Sequence, residues 1–109
     1  MRVHNSLGPG LREKPYENAL MIELAEAQLQ AFQQRPYPIQ HRGKTVGDCI
    51  PDITVGRQLL VEVKSVETIG VSEIAQLLNY LRISGFELGV VINFKGPRLE
   101  VERLVRSRS

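Results

Sequence analysis

Cysteine is nearly absent. Cys49 stands alone, so the chain can form neither an internal disulfide nor a thiolate metal cage. A reducing compartment, the cytoplasm, is the natural expectation. No apolar run approaches the roughly 18 residues that span a bilayer. The start, Met1-Arg2-Val3-His4, lacks the apolar stretch of a secretory signal, and no membrane partner is expected. His4 and His41 have no ligand-spaced partner, which argues against zinc. One-signed charge is also scarce: the formal balance is +2, whereas a dedicated nucleic-acid binder usually carries a basic excess or stripe. Arg103, Arg106 and Arg108 form the one cluster, which reads more readily as a solvated tail than as a grip. Repeats, low-complexity tracts and linkers are missing as well.

What is present fits a single globular domain over residues 1–109, with 42% hydrophobic and 24% charged residues, a size that supports one core. After Leu7-Gly8-Pro9-Gly10, a helical pattern runs from about Arg12 to Gln34. Leu20, Leu24, Ala27 and Ala31 build its apolar stripe. Pro15 falls in the first turn, where a missing N–H costs little, and Pro36 and Pro38 mark the stop. A polar strand is expected over Ile39–Val46. Ile53–Val55 and Leu59–Val63 read as a hairpin around Gly56-Arg57-Gln58. A second helix starts near Ser72 as cap, carries Ile74, Leu77, Leu78 and Leu81 on one stripe, and ends at Gly85. Leu88–Phe94 suits a strand buried on both faces, and Leu99–Leu104 an edge strand. The order α-β-β-β-α-β, with an optional last strand, places the fold in the α/β class, a mixed sheet flanked by helices.

Chemistry concentrates on the third strand. Alternation sends Val61 and Val63 to one face and Glu62 and Lys64 to the other. If Gly56-Arg57-Gln58 is a three-residue loop, Asp52 comes opposite Glu62. Two carboxylates that close repel, unless one is protonated or a cation lies between them. Mg²⁺ or Mn²⁺, hard ions that prefer oxygen, would resolve the conflict. Lys64 could then stabilise charge on a phosphate or position a water. A two-residue loop would shift the register and separate the acids, leaving Asp52 a strand-start residue and Glu62/Lys64 a surface pair. Glu13 falls on the core-facing stripe of the first helix, with Tyr16 one turn on, and a carboxylate there needs a partner. A favourable place at the helix N-terminus is the alternative. Gln76 and Tyr80, at i and i+4, point away from the apolar stripe and offer an amide and a phenol to orient a Lys or a phosphate; a plain polar face is the simpler account. Gly8-Pro9-Gly10 shapes a turn, since no Lys-Ser/Thr follows as a P-loop requires.

Gly10-Leu-Arg-Glu13-Lys-Pro-Tyr16 fits the motif that names the GxxExxY protein family. The fit continues through Val3-His4, Leu7-Gly8-Pro9-Gly10, Pro51-Asp52 and Val61-Glu62-Val63-Lys64-Ser65-Val66. It runs on through Ala75-Gln76-Leu77-Leu78-Asn79-Tyr80-Leu81, Gly89 and Ile92-Asn93-Phe94. That family is similar to the PD-(D/E)XK nuclease superfamily. The resemblance implies an αβββαβ restriction-endonuclease-like core. It implies a divalent metal held by Asp52 and Glu62, Lys64 as third catalytic residue, and Glu13 as the first-helix acid. Gln76 and Tyr80 match the QxxxY element of the RecB-like branch. Members usually carry a helix before the Val-His segment, so a truncated N-terminal helix is expected. The function expected is metal-dependent hydrolysis of nucleic acid, DNA before RNA, by a monomer or by a homodimer that builds its groove jointly. The alternative is an inactive nuclease-fold module for nucleic-acid binding or assembly.

Overall fold

The structure, a computed structural model, describes residues 1–106. A short helix α1 (Arg2–Leu7) precedes α2 (Glu13–Glu26). Between them Gly8 and Gly10 adopt positive φ and turn the chain, and the Tyr16 hydroxyl donates to Gly8 O. Pro15 is the third residue of α2, inside the first turn as expected. The helix is shorter than its sequence periodicity suggests. It stops at Glu26, where the Ala27 N–H closes on Glu23 O, the Leu29 N–H closes on Leu24 O, and Gln28 takes φ 61°. Ala31 still meets the core, but from strand β1 (Ala31–Gln33), so an apolar residue in helical phase concealed the change of element.

The expected strand 39–46 is a hairpin instead. β2 (Tyr37–His41) pairs with β3 (Lys44–Cys49) around Arg42-Gly43, both at positive φ, the backbone of a tight two-residue turn. β4 (Ile53–Val55) and β5 (Leu59–Lys64) form the expected hairpin. Helix α3 (Val71–Ser84) then crosses to β6 (Leu88–Asn93), and β7 (Glu100–Val105) is the anticipated edge strand. The main sheet has five strands in the order β1-β4-β5-β6-β7; β5 and β6 are parallel and the other neighbours antiparallel. This is the mixed α/β architecture read from the sequence.

The sheet divides the interior in two. Val3 of α1 and Tyr16 and Leu20 of α2 pack on Ile53, Val61, Val63, Ile92 and Phe94, with Tyr16 stacked on Phe94 at 4.4 Å between ring centroids. On the other face Leu77 and Leu81 of α3 cover Leu60 and Val91, with Phe86 closing the lower end. The single core expected for this length is thus a pair of half-cores, each buried by its own helix layer.

Helix α3 differs from its expected orientation. Its first-turn Glu73 side chain accepts from the Gly70 N–H at 2.7 Å, so Ser72 is not the cap. Gly85, at φ 81°, ends it as expected. Leu77 and Leu81 are buried, whereas Leu78 is 48% exposed and Ile74 half-buried. The helix is rotated so that Gln76 and Tyr80, expected on the outer face, flank the packed side. Arg106 is no solvated tail residue: it donates to the carbonyls of Gly85 and Phe86 beyond the end of α3. Arg103 is exposed, and Arg108 lies outside the described residues.

Close approach of α3 to β6 depends on Gly89. A Cβ there would lie 2.9 Å from Leu77 Cδ1 and 3.1 Å from Leu81 Cδ1, both side chains fully buried. Gly89→Ala is therefore expected to lower unfolding stability by about 1–3 kcal/mol. Urea denaturation measures it, and an unchanged midpoint would show that the helix seat is loose.

Candidate functional site

The hairpin β4–β5 sets Asp52 and Glu62 against each other. Val55 pairs with Leu59 and Ile53 with Val61, the register of a three-residue loop. One residue beyond Ile53, the backbone ladder gives way to carboxylates. The Asp52 N–H donates to Glu62 Oε2 at 2.7 Å, and the Val63 N–H donates to Asp52 Oδ2 at 2.8 Å. Each strand thus holds the acid of the other. Pro51, fully buried, fixes the chain on the entry side.

Burial makes this pair electrostatically unusual. Glu62 is only 3% exposed, and desolvation, then the neighbouring Asp52 charge, push its pKa up to about 8. Asp52 is also raised, chiefly by burial, with the Glu17 charge adding to it; the Val63 N–H and the Gln34 amide oppose the shift. Lys64 stands on the same face one pleat along, and its Nζ donates to Gln76 Oε1 at 2.8 Å. The Gln76 Nε2 in turn donates to the Tyr80 hydroxyl at 3.2 Å. Burial, then the Glu62 charge, hold the Tyr80 phenol above its ordinary pKa. Gln76 and Tyr80, expected on the face of α3 away from its apolar stripe, thus stand beside Lys64.

The first helix presents a different acid from the one expected. Glu13 is exposed, with Oε2 accepting from the Ser65 N–H at 3.0 Å, just past Lys64. Glu17, one turn on, is 3% exposed and faces inward. It accepts from Lys14 Nζ at 3.3 Å, from Gln33 Nε2 at 2.7 Å and from Gln34 Nε2 at 3.1 Å. The same Gln34 amide lies 3.4 Å from Asp52 Oδ1. Glu17 was legible in principle, since it precedes Leu20 by three and Leu24 by seven residues, the helical phase of the buried stripe. Gln34 carried no such signal, because its role depends on β1 ending beside β4.

Other candidates fall outside the site. His4 is buried against Phe94, its Nε2 3.0 Å from Gly96 O, and His41 lies exposed on the β2–β3 hairpin. Among the described residues, no three His, Cys, Asp or Glu side chains gather closely enough to ligate one ion. A hard divalent cation nonetheless fits the Asp52/Glu62 pair: both are oxygen donors, they oppose each other, and the Asp52 charge adds to the burial that raises Glu62. No described helix is long and apolar enough to cross a membrane.

The sign of the pH effect follows from the shift. Glu62 binds its proton more tightly folded (about 8) than in an ordinary environment (4.5), so its contribution to stability is complete below pH 4.5 and lost as pH rises to about 8. Without added metal, thermal stability should fall across that window. Glu62→Gln should flatten the slope and raise the melting temperature at pH 8, which calorimetric scans at successive pH values would record. An identical slope in wild type and variant would contradict the assignment.

With the geometry established, comparisons with known proteins agree on kind. The family model of the PD-(D/E)XK nuclease superfamily matches residues 1–104. No curated protein matches the chain in sequence. Among solved structures, the fold is similar to an alkaline exonuclease from Laribacter hongkongensis, with TM-score 0.60 and 16% identity over 83% of this chain and 54% of that one. The same exonuclease in complex with dAMP aligns with TM-score 0.62 and 14% identity over 83% and 53% of the two chains. The protein SSO0001 aligns with TM-score 0.66 and 16% identity over 85% of this chain and 49% of that one. The chain therefore spans about half the length of these structures. On the match across residues 1–104 and the shared mixed-sheet fold, the chain belongs to the PD-(D/E)XK nuclease superfamily.

Proposed function

We propose that the chain is a divalent-metal-dependent nuclease that hydrolyses phosphodiester bonds, with DNA favoured over RNA. The observation that carries this reading is the reciprocal clasp of Asp52 and Glu62, with Lys64 one pleat away. Asp52 and Glu62 would hold Mg²⁺ or Mn²⁺ between strands β4 and β5. When bound, the ion supplies Lewis acidity, easing loss of a proton from water and offsetting charge on the phosphate. Lys64 acts from the chain itself. Its ammonium, aimed by Gln76 Oε1, places positive charge where the phosphate oxygens gain negative charge, and orients the attacking water. Tyr80 fixes the Gln76 amide. Glu13 secures the backbone just beyond Lys64. Glu17 adds negative potential behind Asp52, favouring a cation there.

The order of motifs supports a finer placement in the GxxExxY family and the RecB-like branch, since Glu13, Asp52, Glu62, Lys64, Gln76 and Tyr80 stand in the expected sequence. The dAMP bound to the Laribacter exonuclease supports a deoxynucleotide ligand.

Cleavage of single- and double-stranded DNA and RNA with Mg²⁺ or Mn²⁺ tests the proposal. Wild type should cut, chelation should stop it, and Glu62→Ala or Lys64→Ala should each slow it by roughly 100-fold or more. Equal cleavage by all three proteins would assign the activity elsewhere. Metal-dependent binding without cleavage would favour a non-catalytic nucleic-acid-binding module.

A further inference from the structure

The β2–β3 hairpin contributes little to the core. At its base Cys49 is buried and Tyr37 packs edge-on against Phe86, at 5.6 Å between ring centroids. From Lys44 to Asp48 every residue of β3 is exposed, Val46 at 64%. Such a projection needs an explanation other than packing.

Its tip is cationic and tightly turned. Residues 40–46 contain Arg42 and Lys44 and no acid, so this short segment carries as much positive charge as the net excess of the whole chain, +2. The ion pairs among the described residues are Arg2–Glu23, Lys14–Glu17 and Lys95–Glu67, and neither tip cation takes part. Arg42 and Gly43, at φ 52° and 77°, form the tight turn, so Arg42 lies in it and Lys44 directly follows it. The Gln40 amide donates to Thr45 Oγ1 at 2.9 Å across the strands.

The hairpin is also wired to the acid pair. β3 ends at Cys49, and Ile50-Pro51 lead directly into Asp52. Five strand steps from Cys49 to Lys44 span ~17 Å. The tip therefore stands well clear of the hairpin's base, where the chain leads into the acid pair.

We infer that the β2–β3 tip, through Arg42 and Lys44, grips the phosphate backbone of a nucleic acid presented to Asp52 and Glu62, at a point away from the bond itself. The inference rests on the nuclease reading above and extends it to a backbone-positioning element. A contact of this kind reads charge, not sequence.

The test is fluorescence-anisotropy binding of labelled duplex DNA in Ca²⁺, over a salt series, for wild type and the Arg42→Asn/Lys44→Gln double variant. Asn tolerates the left-handed backbone at position 42, and both side chains are exposed, so an unchanged melting temperature is expected. The double variant should bind a 20-base-pair duplex at least ~10-fold more weakly at 0.1 M salt, with a salt slope shallower by roughly 1.8, two phosphate contacts at about 0.9 each. Binding of a mononucleotide, which offers no backbone for the tip to grip, should be unchanged. An unchanged slope on the long duplex overturns the inference even if the wild type cleaves. Absence of any nucleic-acid binding by wild type overturns the nuclease reading, and this inference with it. Loss of binding to phosphatidylserine vesicles at an unchanged DNA slope would reassign the tip to a membrane surface and overturn it as well.

Discussion

Two backbone-to-carboxylate hydrogen bonds govern the geometry of this molecule's acid pair. At the open end of β4–β5, where further main-chain rungs would be expected, the Asp52 N–H turns to Glu62 and the Val63 N–H turns to Asp52. The arrangement fixes two carboxylates against each other in a poorly solvated place. Folding thus creates an electrostatic conflict that a proton relieves below about pH 8 and a cation could relieve above it. Backbone hydrogen bonds hold the pair in position, and burial favours the neutral form of Glu62.

The surrounding architecture supports that arrangement from both faces. α2 packs Tyr16 and Leu20 on one side of the sheet, and α3 packs Leu77 and Leu81 on the other. Because β5 and β6 are parallel, α3 must cross the sheet between them, and the crossing carries Gln76 past Lys64. Asn93 secures the approach to α3: its amide donates to Val66 O and Glu100 Oε1, while its Oδ1 accepts from the Val66 N–H. Glu100 also accepts from Ile69 N–H and Thr68 Oγ1. The segment between Lys64 and the helix is therefore tied to β6 and β7, and the lysine is held by structure extending well beyond its own strand.

Much of this was legible because alternation and loop length are local properties. Glu62 and Lys64 share a face in any strand, and Gly56-Arg57-Gln58 allowed the register that places Asp52 opposite Glu62. Gly85 and the buried run of β6 were equally plain. Elements whose identity depends on distant partners were not. Ala31 continued the helical period but belongs to a strand, because β4 offers it a ladder. One expected strand was two, since Arg42-Gly43 makes a turn despite its polar, unbroken appearance. Glu13 and Glu17 lie one turn apart and both share the phase of Leu20, so the pattern admitted either, and the seating of α2 on the sheet buries Glu17. The rotation of α3, which exposes Leu78 and brings Gln76 inward, is likewise a tertiary choice that periodicity alone does not make.

The central claim is that the opposed carboxylates form a divalent-cation site that exchanges a proton for the metal. Isothermal titration of Mn²⁺ at pH 7, repeated in two buffers of different ionisation enthalpy, measures ion affinity and proton release together. The account predicts one ion bound with release of about one proton, the one Glu62 retains at that pH, and loss of both signals in Glu62→Gln. Binding without proton release, or no binding at millimolar Mn²⁺, would contradict it.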